Sequence, residues 1–312
     1  MPPATVARPP PPPPPPKPRI VVYHQTHWHG DEYVSVLPLV TEFTGVTHLI
    51  VAAIHLNEGP GNITLNDDPP DAARNEQLWD ELVVLQDAGI TVLGMLGGAA
   101  KGSFRRLDFP AGRDDGDDDI DDAAAAVFEA YYTPLRDLIR TRQLDGLDLD
   151  VEEDMSLRGV IRLIDRLKAD FGPGFLVTLA PVATALQRGR HLSGFDYEAL
   201  EVLRGGHIAW YNTQFYCGWG SMALTMPYDL IVAAGWLPHK VVAGVSTNPR
   251  NAAGYVPLEI LMPVLRSLHR RYPTFGGVMG WEYFQSLPGG SDRPWEWAAV
   301  MSEALHPISH GD

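Results

Sequence analysis

The chain contains a single cysteine, Cys217, in 312 residues. An internal disulfide needs two, so none staples this fold, and a zinc site built on cysteine is excluded with it. A lone thiol beside aromatic neighbours is expected to be a small packed hydrophobe. No apolar run approaches the ~20 residues that a membrane-spanning helix requires, so no membrane partner is expected. Positive charge is also short. The 24 Lys and Arg stand against 39 Asp and Glu, giving a net charge of −15 and a pI near 5.1. That balance leaves no basic stripe to neutralise phosphates and argues against nucleic acid as a partner. The Gly-x-Gly-x-x-Gly turn of a dinucleotide fold is missing after the first apolar run, where His24-Gln25-Thr26-His27 stands instead. No cofactor is called for. Met1–Arg19 lacks the basic-then-apolar pattern of a secretory signal, so a cytoplasmic location is the expectation.

Proline and apolar residues are plentiful. Residues 1–19 carry an unbroken proline run, Pro9–Pro16, which predicts an extended, unpacked tail. Beyond it, 45% hydrophobic content supports a large core. Eight short apolar runs follow, at 20–25, 46–55, 90–97, 144–151, 175–181, 207–215, 241–246 and 275–281. Helical patterns lie between them at 75–88, 127–142, 157–171, 197–204, 228–234 and 258–272. Continuous apolar strands alternating with helices indicate a parallel sheet covered by helices. Eight such units in one chain predict an α/β fold, a (β/α)8 barrel spanning 20–306, with a short tail at 307–312. A doubly wound open sheet is the alternative. The short interval from Ser246 to Phe275 leaves no room for an added α+β domain, so a single domain is expected; a monomer is the separate expectation for its assembly.

In such a barrel, function belongs to the C-terminal strand ends and the loops after them. Those positions hold Tyr23, His24, His27, Trp28 and His29 after the first run, and His55 and Asn57 after the second. Asn212, Gln214 and Tyr216 follow the sixth run, with Trp281, Glu282 and Tyr283 after the eighth. A ring of aromatics and hydrogen-bonding groups around acids suits a sugar, and loops one, two and six are expected to set specificity. His24, His27, His29 and Asp31 can be weighed as metal ligands, but no supporting motif accompanies them, and a sugar-contacting loop is preferred. The acidic run Asp114–Asp122 lacks the sixth-position glycine and terminal glutamate of a calcium loop and is expected to be a solvated loop. One of Trp295 and Trp297 is expected to pack on the barrel exterior, and neither is assigned any chemistry. A phosphate site near Ser246-Thr247-Asn248-Pro249 and Gly276-Gly277 lacks a Gly-rich helix start with basic residues.

The most telling segment is Asp145-Gly-Leu-Asp-Leu-Asp-Val-Glu152. Strand alternation sends Asp148, Asp150 and Glu152 to one side and Leu147, Leu149 and Val151 to the other. Carboxylates crowded on one buried face repel, and burial disfavours charge. At least one is therefore expected to stay protonated near neutral pH, as a general acid must.

That segment resembles the Asp-x-x-Asp-x-Asp-x-Glu signature of glycoside hydrolase family 18. Tyr211-Asn-Thr-Gln-Phe-Tyr216 is similar to the family's strand-six tyrosine motif, and Gly277-Val-Met-Gly-Trp281 to its strand-eight tryptophan motif. The family's third-strand Ser-x-Gly-Gly appears as Met95-Leu96-Gly97-Gly98, without its serine. The resemblance implies that Glu152 is the general acid/base and that Asp150 orients the substrate's 2-acetamido group. Asp148 would support Asp150, Tyr216 and Gln214 would hold the acetamide, and Trp281 would form the floor under the sugar. Tyr23, His24, His55, Asp145, Asn212 and Trp219 complete the expected substrate-binding set. The implied chemistry is retaining hydrolysis in which the acetamide oxygen attacks the anomeric carbon. The detail around Val151-Glu152-Glu153 and Tyr211–Gly220 resembles fungal endo-β-N-acetylglucosaminidases, so an N-glycan or glycoprotein is the expected substrate. Chitin hydrolysis and a non-catalytic, lectin-like role are the alternatives.

Overall fold

The computed structural model describes residues 17–109 and 118–306. The proline run, residues 114–117 of the acidic run and the tail 307–312 lie outside the described residues. Eight parallel strands form a closed barrel: β1 (Arg19–His24), β2 (His48–Leu56), β3 (Thr91–Gly97), β4 (Gly146–Asp150), β5 (Leu176–Leu179), β6 (Trp210–Gln214), β7 (Val241–Ser246) and β8 (Gly277–Trp281). Each pairs with the next, and β1 pairs with both β2 and β8. The expected (β/α)8 barrel is the observed fold, and all eight apolar runs supply its strands. β1 starts one residue before the expected boundary, at Arg19.

The runs are apolar throughout because both strand faces are buried. Leu147, Leu149 and Val22 join a large outer core against the helices, whereas Val21, Tyr23, Leu93, Met95, Trp210, Val242 and Met279 fill the barrel interior. The closing seam needs a glycine. Gly277 has φ +120°, and a Cβ there would lie 2.1 Å from the Arg19 carbonyl oxygen. At the floor of the interior, the Arg19 guanidinium lies 4.4 Å from the Trp210 ring centroid and the His48 ring packs against the same indole.

The covering helices are α1 (Pro38–Thr41), α2 (Glu76–Asp87), α3 (Ser103–Leu107), α4 (Asp118–Thr141), α5 (Leu157–Phe171), α6 (Tyr197–Arg204), α7 (Met226–Ala233), α8 (Leu258–Arg271) and α9 (Glu296–Leu305). α4 begins well before the expected residue 127, so residues 118–122 of the acidic run are helical rather than loop. Acidic residues are favoured in a helix's first turn by its dipole. α5 starts on Ser156, whose hydroxyl accepts from the Gly159 amide, and α6 starts on Asp196, whose carboxylate accepts from Ala199. Trp297 is fully buried in the outer core, with Trp295 half-buried against it. Between β7 and β8 the described chain holds α8 and its connections, with no added domain. Among the described residues no helix is long and apolar enough to cross a membrane.

Candidate active site

β4 delivers the acids. Its alternation turns Asp148 and Asp150 into the barrel, and Glu152 stands just past the strand end, half-buried at the mouth. Asp148 is fully buried beneath them. Its Oδ2 accepts from the Tyr23 hydroxyl at 2.6 Å, and its Oδ1 accepts from Thr178 Oγ1 at 2.5 Å and Asn212 Nδ2 at 3.0 Å. Asn212 is aligned in turn by Trp210, whose indole N–H donates to Asn212 Oδ1 at 2.8 Å. Burial raises the Asp148 pKa, and its three donors oppose that rise.

Asp150 sits between two acids, and burial together with the Glu152 and Asp148 charges holds its pKa well above the usual carboxylate range. Burial also raises Glu152, opposed by a hydrogen bond from Gln214 and the positive charge of Lys101. Gln214 links the pair. Its Nε2 lies 3.2 Å from Asp150 Oδ1, 3.4 Å from Glu152 Oε1 and 2.9 Å from the Ala180 carbonyl oxygen. An amide has two N–H donors, so three acceptors share them. Gln214 thus ties the Asp150 and Glu152 carboxyls together as near neighbours. Tyr216 is buried alongside, and desolvation and the neighbouring acids keep its phenol protonated. The arrangement offers a carboxyl at the rim whose pKa burial raises, hydrogen-bonding groups below it and the half-buried Trp281 indole at the end of β8.

Gly97 and Gly98 let β3 close on this cluster. Both have positive φ, and the Gly98 amide donates to the Asp150 carbonyl at 2.9 Å. A Cβ on Gly97 would meet that same oxygen at 2.7 Å. Met95, in the place of the missing serine, points into the apolar interior. The missing hydroxyl leaves Asp148 with Tyr23, Thr178 and Asn212 as donors.

Several expectations need correction. Tyr23 and Asn212 are buried behind Asp148, so they hold an acid rather than face a substrate. His24 is also fully buried. It faces away from the interior, against His27 at 4.8 Å and Tyr283 at 5.5 Å between ring centroids, and burial keeps it neutral. Asp145 precedes β4 and lies at the opposite end of the barrel, where its carboxylate accepts from Val92 N at 2.8 Å and Gln86 Nε2 at 3.1 Å. Of the residues weighed as a metal set, His24 and His27 are buried with their rings in contact, whereas His29 is exposed and packs its ring on Phe284. Cys217 is exposed in the turn after β6, not packed. Trp219 is half-buried against the outer core in that same connection. His55 lines a cavity of about 550 Å³ with Gln25, Trp28, Asn66 and Asp67, between the loops after β1 and β2.

Residue-by-residue reading missed Thr178 and the anchoring roles of Glu153 and Glu282. Thr178, opposite Asp148 in the β4–β5 register, is signalled only as a lone hydroxyl in an apolar strand. Glu153 is buried and accepts from the Gly102 and Phe104 amides, anchoring the loop after β3. Glu282 does the same for the loop after β1.

No protein-family model matches the chain. A fungal endo-β-N-acetylglucosaminidase of glycosyl hydrolase family 18 superposes with a TM-score of 0.86 at 50% identity, covering 93% of this chain and 99% of that one. A chitinase from Aspergillus fumigatus superposes with a TM-score of 0.81 at 56% identity, covering 93% of this chain and 100% of that one. In sequence, Chitinase 2 of Rhizopus oligosporus is 28% identical over 156 residues, 47% of this chain; the match spans 27% of that chitinase's length.

Proposed function

The chain belongs to glycoside hydrolase family 18, and we propose that it hydrolyses the GlcNAc-β1,4-GlcNAc bond in the core of N-linked glycans, leaving one GlcNAc on the asparagine. The observation that carries this reading is the Asp148–Asp150–Glu152 column joined by Gln214 beside Trp281. Glu152, its pKa raised by burial, protonates the leaving glycosidic oxygen. Asp150 accepts from the acetamide N–H of the bound sugar and steadies positive charge as it develops there. Asp148, held by three donors, supplies the negative charge and geometry beneath it. Tyr216 and Gln214 orient the acetamide so that its oxygen attacks the anomeric carbon, and the Trp281 indole supports the sugar's C–H face. Attack by the substrate's own acetamide, in place of a water or a second carboxylate, gives retention.

Support for the N-glycan comes from the short connection between β7 and β8, which holds no inserted domain, and from the 50% identical endo-β-N-acetylglucosaminidase. A chitinase is the second reading, favoured by the 56% identical Aspergillus enzyme. A lectin-like role has less support, because every acid of the signature is present. Incubation with a high-mannose glycoprotein and, separately, with chitin oligomers decides between them by product mass. Release of the glycan with one GlcNAc retained on the protein is expected. Cleavage of chitin oligomers without glycan release would overturn the N-glycan assignment.

A further inference from the structure

We propose that Glu282 is a positioning residue for Trp281: its carboxylate fastens the loop after β1 to the end of β8 and so fixes the indole on which the sugar rests. The inference builds on the reading of Trp281 as the floor of the site.

The closing seam explains why a clasp is needed. The β1–β8 ladder runs from Arg19 opposite Gly277 to Val22 opposite Gly280. Trp281 therefore lies one residue beyond the last ladder pair. Glu282 follows it directly, buried at 8% exposure. Its Oε2 accepts from the Gln25 and Thr26 amides at 2.9 and 2.8 Å, and its Oε1 accepts from Thr26 Oγ1 at 2.6 Å. Beyond the ladder one backbone bond crosses this seam, from the Tyr283 amide to the Tyr23 carbonyl at 2.7 Å, and the Glu282 side chain adds three more. On the other flank, the Thr247 amide donates to the Trp281 carbonyl at 2.9 Å and Thr247 Oγ1 to the Glu282 carbonyl at 2.6 Å. Asn66 secures the same β1 loop to β2, donating to the Gln25 carbonyl at 2.8 Å while accepting from Ala53 N at 3.1 Å. The peptide carrying the indole is gripped from both neighbouring strands.

The residue type fits this role. An ionised carboxylate accepts at both oxygens and donates nothing, so it satisfies three donors at once. An amide in its place can keep its oxygen on the two backbone N–H groups only by turning its own N–H groups to Thr26 Oγ1, which must then reverse from donor to acceptor, and the negative charge is lost. A seam required only for folding is made more cheaply from apolar side chains, since a buried acid is costly to desolvate.

A double-mutant cycle tests the proposal on whichever substrate the enzyme cleaves, with circular dichroism and Tm recorded for each variant. Glu282→Gln is expected to lower kcat/KM by about ten- to a hundredfold, the scale of a small misplacement at a reacting centre. Trp281→Phe alone lowers it as well, and the double variant falls no further than Trp281→Phe, to within about twofold. Losses that multiply would overturn the proposal, as would a folded Glu282→Gln enzyme of full activity. Thr26→Val, which removes one donor, covers the case in which Glu282→Gln fails to fold; its smaller loss must likewise vanish in the Trp281→Phe background. Should Trp281→Phe leave activity untouched, the floor reading itself fails, an outcome separable from additive losses.

Discussion

Three donors converge on Asp148 at the centre of the barrel, and each was recruited from a different strand. Removing the acceptor tests their dependence on it. Asp148→Ala leaves the Tyr23 and Thr178 hydroxyls buried without their acceptor, while Asn212 Nδ2 keeps only the Tyr23 oxygen at 3.1 Å. At about 1–3 kcal/mol for each unsatisfied group, denaturant titration should show a loss of at least about 2 kcal/mol, together with lost activity. Glu152 is the contrasting case. It is only half-buried, and burial already favours its neutral form, so Glu152→Gln should fold as the parent does. Its hydrolysis should fall by about 10²–10⁴-fold, the usual worth of a general acid, in a steady-state assay. A pH profile adds a sign. The acid must be protonated, and Glu152 is raised, so activity persists above the ordinary carboxylate range and falls as pH climbs through the raised value. A basic limb lying at an unshifted glutamate pKa would count against the acid role of Glu152.

At the scale of elements, the strands were legible because burial on both faces writes itself into sequence as unbroken apolar runs, and the alternation of β4 announced its inward acids. The loops were harder to read. Whether Tyr23, His24 or Asn212 meets substrate turns on which face of β1 or β6 it occupies and on what lies opposite, and proximity to a strand end does not reveal that. Asp145 belongs to the signature yet sits before the strand, so motif membership outweighed its position at the wrong end. The loop anchors Glu153 and Glu282 bond to backbone amides far away in sequence, which leave no side-chain pattern to find. α1 and α3 are too short to show a helical period. Gly277 is an element-scale requirement with a clear test. Gly277→Ala places a methyl group 2.1 Å from the Arg19 oxygen at a φ unsuited to alanine, so it should destabilise the closing seam and lower Tm, whereas Gly172→Ala, with open space around it, meets only the backbone penalty.

Across the whole molecule, the acids at the barrel mouth set function against stability. Asp148, Asp150 and Glu152 all have folded pKa values raised by burial, so the folded state binds protons more tightly than the unfolded chain. Their contribution to stability is full below the ordinary carboxylate range and is lost as pH rises through the raised values. Asp150→Asn removes the most crowded of these charges. It should raise Tm by about 2 °C or more at pH 7 to 8, with the gain shrinking toward pH 4, while hydrolysis collapses. Equal Tm differences at both ends of that range would show that charge crowding at Asp150 is not what destabilises the site. The chemistry itself is read from the product's configuration. Proton NMR during the first minutes of hydrolysis, before mutarotation, shows which anomer of the newly formed reducing GlcNAc appears first. Attack by the substrate's own acetamide requires the β-anomer; initial release of the α-anomer would contradict it.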